Sequence, residues 1–376
     1  VQAIDEREGT APPPLLPPLR RPALPPARTA VGALTTAAAL AAVLLLPRLV
    51  GTTWHDVRGA VGHLGAVDVL GLLVLWVAGL CCCSKVLTAS LPGLTSGRAL
   101  LLNLTGSAVA GAVPLGGALG MWLNTSMLRR WSFRGRDIAS FTVTSNVVDV
   151  VGKLLFVLPV LVAALAAGGL PQVPGATGWA LALAATMVVM AAGTLLAGTD
   201  RGLDRLAALT AAAAALAARL RRRPGRAEVA ARTRGRLLDV RTAVGERLRS
   251  AWRPLMTAVL AYVGLQALLA VLCLHLAGVR LPVVTLLAAF AVDRVVSAVP
   301  ITPSGAGFAE AAACAVLVGA GGDPRHVLAG VLLYRLFLVV LEVPVGGVLL
   351  GGWLLAGRAV PARTASALAV ARGGLR

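Results

Sequence analysis

Residues 281–320 read LPVVTLLAAFAVDRVVSAVPITPSGAGFAEAAACAVLVGA. The stretch is apolar almost throughout, yet its middle is broken by Pro300-Ile-Thr302-Pro303-Ser-Gly305-Ala-Gly307. Proline removes a backbone donor and glycine relaxes the helix. In lipid an unwound backbone survives only where protein or a wet cavity covers it. The pattern therefore predicts two short helices joined by an irregular tip, enclosed within a membrane protein. Residues 100–125 repeat the design around Pro114-Leu-Gly116-Gly117-Ala-Leu-Gly120.

Working outward, longer apolar runs occupy 30–46, 67–87, 138–167, 178–197, 255–277 and 327–355. A transmembrane helix needs about 20 mostly apolar residues. The expectation is an all-α, polytopic integral membrane protein. It has about six full transmembrane helices plus two broken, re-entrant helical hairpins. Composition agrees: 57% of the 376 residues are hydrophobic, only 14% are charged, and mean hydropathy is +0.83. A soluble domain carries charge on roughly a quarter of its residues. The Pro-rich residues 1–29 read as a disordered cytoplasmic tail, 30–357 as the membrane domain, and 358–376 as a basic cytoplasmic tail.

The net charge of +19 is concentrated between the apolar runs. Residues 200–253 carry 14 Arg against 5 acids. Lys and Arg favour the cytoplasmic side of a membrane. Residues 199–253 are therefore expected to be a cytoplasmic helical loop, with both termini inside and the chain in the cytoplasmic (inner) membrane. Val229, Thr233, Leu237, Val240, Val244 and Leu248 recur every three or four residues among the arginines. Such an amphipathic face suits an anionic lipid surface. Stacking aromatics are absent from this segment apart from Trp252, so nucleic acid is not expected as a partner. The five cysteines form no C-x-x-C pair and the four histidines are scattered, so no metal is expected.

With that threading one hairpin enters from the cytoplasm and the other from outside. Asp149 and Lys153 follow Gly117 by 32 and 36 residues; Arg335 and Glu342 follow Gly305 by 30 and 37. Opposite senses and matching offsets are the pattern of inverted repeats, whose broken helices meet around a substrate site near the midplane.

Asp149, Lys153, Asp293, Arg294, Glu310, Arg335 and Glu342 all fall inside apolar stretches. At roughly 2.5–3.5 kcal/mol each, seven charges facing lipid would cost on the order of 20 kcal/mol. They must point inward, pair, or line a wet cavity. Thr142, Asn146, Asp149 and Lys153 share one helix face, and Asp149 can pair with Lys153 at i, i+4. Arg335 and Glu342 lie about two turns apart, so each needs a partner elsewhere. Asp293 and Ser297 share a face leading to the second tip. Lys153, Arg294 and Arg335 are natural partners for a lipid phosphate. Glu310, Asp149 and Glu342 would hold those cations when no lipid is bound. The alternative is that the same pairs only clamp the bundle. No catalytic constellation appears, and neither an enzymatic role nor a cofactor is expected.

Pro300-Ile-Thr302-Pro303-Ser-Gly305-Ala-Gly307-Phe-Ala-Glu310 resembles the P-x-T-P-G-G-x-G-x-x-E signature of the lysylphosphatidylglycerol synthase transmembrane family, with Ser304 in place of a glycine. The hairpin at Pro114–Gly120, followed by Arg129-Arg130-Trp131 and Asn146-Val-Val-Asp149, is similar to that family's first hairpin. The resemblance covers about residues 66–357. It implies a flippase-like movement of a phospholipid, or of a lipid with a modified or polyprenyl-linked headgroup. It implies no aminoacyl transfer, which belongs to a separate soluble domain. The expected partners are membrane lipids, anionic or with modified headgroups; self-association into a homo-oligomer stays open. The rival readings are a membrane-embedded enzyme or accessory subunit acting on a polyprenyl-linked sugar, and a scaffold subunit.

Overall fold

A computed structural model of the chain describes residues 53–112, 116–166, 226–297 and 307–355. The spans expected at 30–46 and 178–197, both tails, and the tip residues Pro114, Pro300, Thr302, Pro303 and Gly305 lie outside the described residues. What is described is helical, with no strand among these residues. In chain order the helices are α1 (Trp54–Val61), α2 (Ala66–Ser90), α3 (Ser96–Ala112), α4 (Gly116–Arg130) and α5 (Gly135–Ala166). Then come α6 (Arg226–Leu276), α7 (Val283–Ser297), α8 (Phe308–Gly319), α9 (Pro324–Arg335), a π turn (Leu336–Val340) and α10 (342–355).

Four stretches are long and apolar enough to cross a membrane: Ala66–Ser90, Gly135–Ala164, Leu238–Leu276 and Pro324–Leu355. They coincide with four of the six expected full spans. Their outward faces carry apolar side chains such as Val67, Leu70, Val74, Val162 and Val348, each at least 59% exposed. Lipid makes that exposure favourable, because tails are as apolar as the side chains they cover.

The third span is the end of a longer helix. The Arg-rich segment expected as a separate loop helix is part of α6 from Arg226 onward, and it meets the span at a break. Ala251 leaves helical geometry there (φ −121°, ψ 17°), three residues before Pro254. Proline lacks the donor that residue 250 would need and its ring crowds that carbonyl. Arg247 ties the basic arm down: its Nε donates to the Ala89 carbonyl at 2.6 Å, near the end of α2. The last carbonyls of a helix lack internal partners, and a guanidinium suits the negative end of the dipole.

Both broken stretches form packed helix pairs. The arms have 17 and 15 residues in α3 and α4, and 15 and 12 in α7 and α8. None reaches the roughly 20 residues that a crossing needs. The α3–α4 pair is antiparallel and close. A Cβ on Gly120 would stand 2.9 Å from the Gly106 carbonyl oxygen, nearer than real side chains come. Gly117 behaves otherwise. It was expected to allow unwound backbone and close approach, yet it is helical and a Cβ there would meet nothing within 4 Å. Gly116 and Gly120 face the partner helix and Gly117 does not, because one residue turns a helix by about 100°.

The last span joins both hairpins. Its first half, α9, packs with α6, α7 and α8 around Leu286, Leu317, Val327 and Leu328. Its second half reaches α3 and α4, where Gly346 lies against the Leu104 backbone. Leu350 and Trp353 cover the core of the first hairpin, formed by Leu102, Leu123, Met127 and Leu128. Arg130 stacks on Trp353 at 4.5 Å, and Arg98 on Trp131 at 5.1 Å. Cation–π contacts of this kind anchor helix ends at a membrane surface.

Candidate functional site: an ion cluster on the tip side of the second hairpin

The π turn decides how the last span presents its charges. Leu341 N–H bonds to the Leu336 carbonyl at 2.9 Å, an i→i+5 step. One extra residue in a turn rotates everything after it by roughly 100° relative to a regular helix. Arg335 and Glu342 share a face in a regular α-helix; here they are about a quarter turn apart and meet different partners.

Arg335 faces the second hairpin and touches both arms. Its Nη2 donates to Asp293 Oδ1 at 2.6 Å and to Ser297 Oγ at 3.3 Å, both on α7. Its Nε stands 3.0 Å from Glu310 Oε1, on α8. Arg294 approaches Asp293 from the other side, with Nε at 2.9 Å and Nη2 at 2.6 Å from Oδ2. Asp293 therefore serves two guanidinium groups, one per oxygen. Glu310 Oε2 also accepts the Gly307 N–H at 2.7 Å. Gly307 precedes α8 with φ 87°, a left-handed conformation that glycine adopts without strain.

The cluster is enclosed. Asp293, Glu310 and Arg335 are 4%, 3% and 7% exposed. Two guanidiniums and two carboxylates sum to zero charge, and hydrogen bonds fill most of the acceptor positions. That is the condition under which buried ions persist, since breaking such a set costs about 3–5 kcal/mol. Aromatic rings complete the enclosure. Arg294 lies 5.4 Å from the Phe290 centroid and 5.7 Å from that of Tyr334. Phe290 meets Phe156 of α5 edge-on at 5.6 Å, so the ring stack ties α5 to α7.

The other expected residues are placed apart from this cluster. Lys153 Nζ pairs with Asp149 Oδ2 at 2.6 Å within α5, as i, i+4 spacing predicted. Asn146 is exposed and donates to the Thr142 carbonyl at 2.7 Å, one turn back on its own helix. Glu342 corrects the expectation that it holds a cation, since among the described residues no Lys or Arg nitrogen pairs with it. It stands instead beside Ser107 of α3 and Trp76 of α2. Asp293 was counted among the intramembrane charges but given no headgroup role, and it is the hub. Phe290 and Tyr334 were missed altogether, although each had a signal: Phe290 precedes Arg294 by four residues and Tyr334 adjoins Arg335.

The family model for the transmembrane region of lysylphosphatidylglycerol synthase matches residues 28–346. The chain belongs to this family. The match takes in both hairpins and all four ion-cluster residues, and it begins well before residue 66, where the motif resemblance starts. It makes the chain a family member with apolar membrane helices, hence a multi-pass membrane protein. A search of curated proteins finds no match.

Proposed function

We propose that this family member moves a phosphate-bearing lipid across the cytoplasmic membrane and catalyses no covalent chemistry. The observation that supports it is Arg335, bridged between Asp293 on one arm of a broken hairpin and Glu310 on the other. A phosphate offers the same oxygen acceptors as these carboxylates, and a guanidinium fork can grip it with two hydrogen bonds. In the empty protein Asp293 and Glu310 satisfy the cations. When a headgroup enters, its phosphate takes their place on Arg335 and Arg294. The two hairpins act as inverted repeats around this path, both termini lie in the cytoplasm, and the basic arm of α6 rests on anionic headgroups. Lys153, already paired with Asp149, supplies a third cation to which the phosphate can pass. The partners in this reading are membrane lipids and not nucleic acid.

Arg335→Lys tests the reading. A lysine keeps the charge that the carboxylates need but loses the fork. In proteoliposomes carrying a fluorescent phospholipid, this variant should insert and fold at wild-type yield while translocation falls at least tenfold. Wild-type translocation by Arg335→Lys would sink the grip, and a parallel loss of yield would assign Arg335 to clamping alone.

A further inference from the structure

Glu342 differs from every other membrane-embedded carboxylate among the described residues. Asp149 has Lys153, Asp293 has two arginines, and Glu310 has Arg335. Glu342 forms no ion pair among the described residues. It opens α10 directly after the π turn and faces a cavity between α2, α6 and the last span. Trp76, Leu80, Tyr262, Gln266 and Leu338 form the wall around it. The buried Trp76 indole N–H lacks a hydrogen bond of full geometry and stands beside this carboxylate. Gln266 Nε2 donates to Tyr262 Oη at 2.8 Å, which leaves the phenol hydrogen free to turn into the cavity.

The groups facing Glu342 from the surrounding helices supply no net positive charge. Cys83 of α2 and Tyr262 of α6 bring no cation. Asp149 of α5 also acts on this region, neutralised by its own Lys153. Arg294 of α7 acts on it electrostatically, and Asp293 already holds that group. An ionised carboxylate in such a place has no ion-pair partner of its own among the described residues, and burying an unpaired charge is costly. Ca²⁺ or Mg²⁺ would want six or more oxygen ligands. The cavity offers far fewer, and most of its wall is leucine and aromatic ring. A proton needs one oxygen and leaves a neutral acid that can hydrogen-bond.

We infer that Glu342 is a proton-binding site, and that its proton exchanges during the transport cycle so that lipid movement is proton-coupled. The coupling rests on the proposed translocation, whereas proton binding stands without it. The transfer is simple: a proton from water on one side joins a Glu342 carboxylate oxygen, and it leaves to water on the other as the carboxylate re-forms. Along the chain the π turn and Leu341 separate Glu342 from Arg335.

Two measurements on the full chain separate the claims. Infrared difference spectra of the purified protein, recorded across a pH titration, should show a protonated-carboxyl C=O band that is missing in Glu342→Gln. Trp76→Phe, which keeps the ring but removes the indole N–H, should shift that band, so the assignment survives if Glu342→Gln fails to fold. Absence of the band, or a band that responds to Na⁺ and not to pH, overturns the proton site. In proteoliposomes with one proton per lipid, a gradient of one pH unit should change the steady-state lipid distribution about tenfold. Glu342→Gln should give the same distribution with and without the gradient. A wild-type distribution indifferent to the gradient, with lipid still moving, overturns the coupling and leaves the flippase reading intact. If no lipid moves under any condition, both coupling and flippase reading fall, and the infrared band alone decides whether Glu342 binds a proton.

Discussion

Replacing Arg335 with methionine removes a cation while keeping most of the side-chain volume. The consequences can be followed through the cluster. Asp293 loses the donor on Oδ1 but keeps Arg294 on Oδ2, so it stays compensated. Glu310 keeps the Gly307 N–H and becomes a carboxylate, 3% exposed, with no cation beside it among the described residues. The cluster passes from neutral to a net charge of −1. Removing one partner of a buried pair costs about 3–5 kcal/mol. Asp293 is rescued, so about 3 kcal/mol is expected for Arg335→Met. Adding Glu310→Gln restores neutrality, and a double-mutant cycle should show a coupling of about 2 kcal/mol between the two positions. Unfolding in mixed micelles, followed by circular dichroism across a denaturant series, measures each variant. Arg335→Met within 0.5 kcal/mol of wild type, as an exposed surface pair would give, would refute the argument that this ion pair holds the hairpin arms together.

Other outcomes follow from neighbouring features. Gly120→Leu should destabilise by about 1–3 kcal/mol, because its side chain must displace the Gly106 carbonyl. Gly117→Ala should be neutral or stabilise by up to about 1 kcal/mol, since nothing stands within 4 Å of the new carbon; equal losses at both sites in a thermal-unfolding comparison would contradict the packing. Gly235→Cys, in a background without native cysteines, should react with a membrane-impermeant maleimide only from the cytoplasmic side, and labelling from outside would reverse the orientation. Arg247→Ala should free the basic arm from α2 and raise proteolysis within residues 226–250, while leaving the spans protected; unchanged cleavage would mean the Ala89 contact holds nothing in place.

Much of this arrangement is legible in the sequence because lipid imposes strong rules. Runs of about twenty apolar residues can only be spans, and Pro-Gly breaks inside such runs can only be enclosed. The Asp149–Lys153 pair follows from helical spacing alone. What the sequence hides is rotation about each helix axis. In a soluble helix the polar face reports the buried face, but here core and lipid are both apolar. Gly116, Gly117 and Gly120 therefore look alike in sequence, although Gly117 alone faces open space. The π turn is hidden for the same reason: Leu336-Phe-Leu-Val-Val340 carries no proline, glycine or polar residue to mark it. Missing it, a regular helix puts Glu342 on the face of Arg335 and gives it cations that the structure assigns to Asp293 and Glu310.

That π turn divides the last span into two gears on one shaft. The half before it meshes with the second hairpin through Arg335, and the half after it meshes with the first hairpin through Gly346 and Trp353. A π turn relaxes to an α turn by passing its extra residue along the helix, which twists one half against the other without unfolding either. The two hairpins touch the same shaft at different heights, so a twist at Leu336–Val340 would turn them in opposite phase.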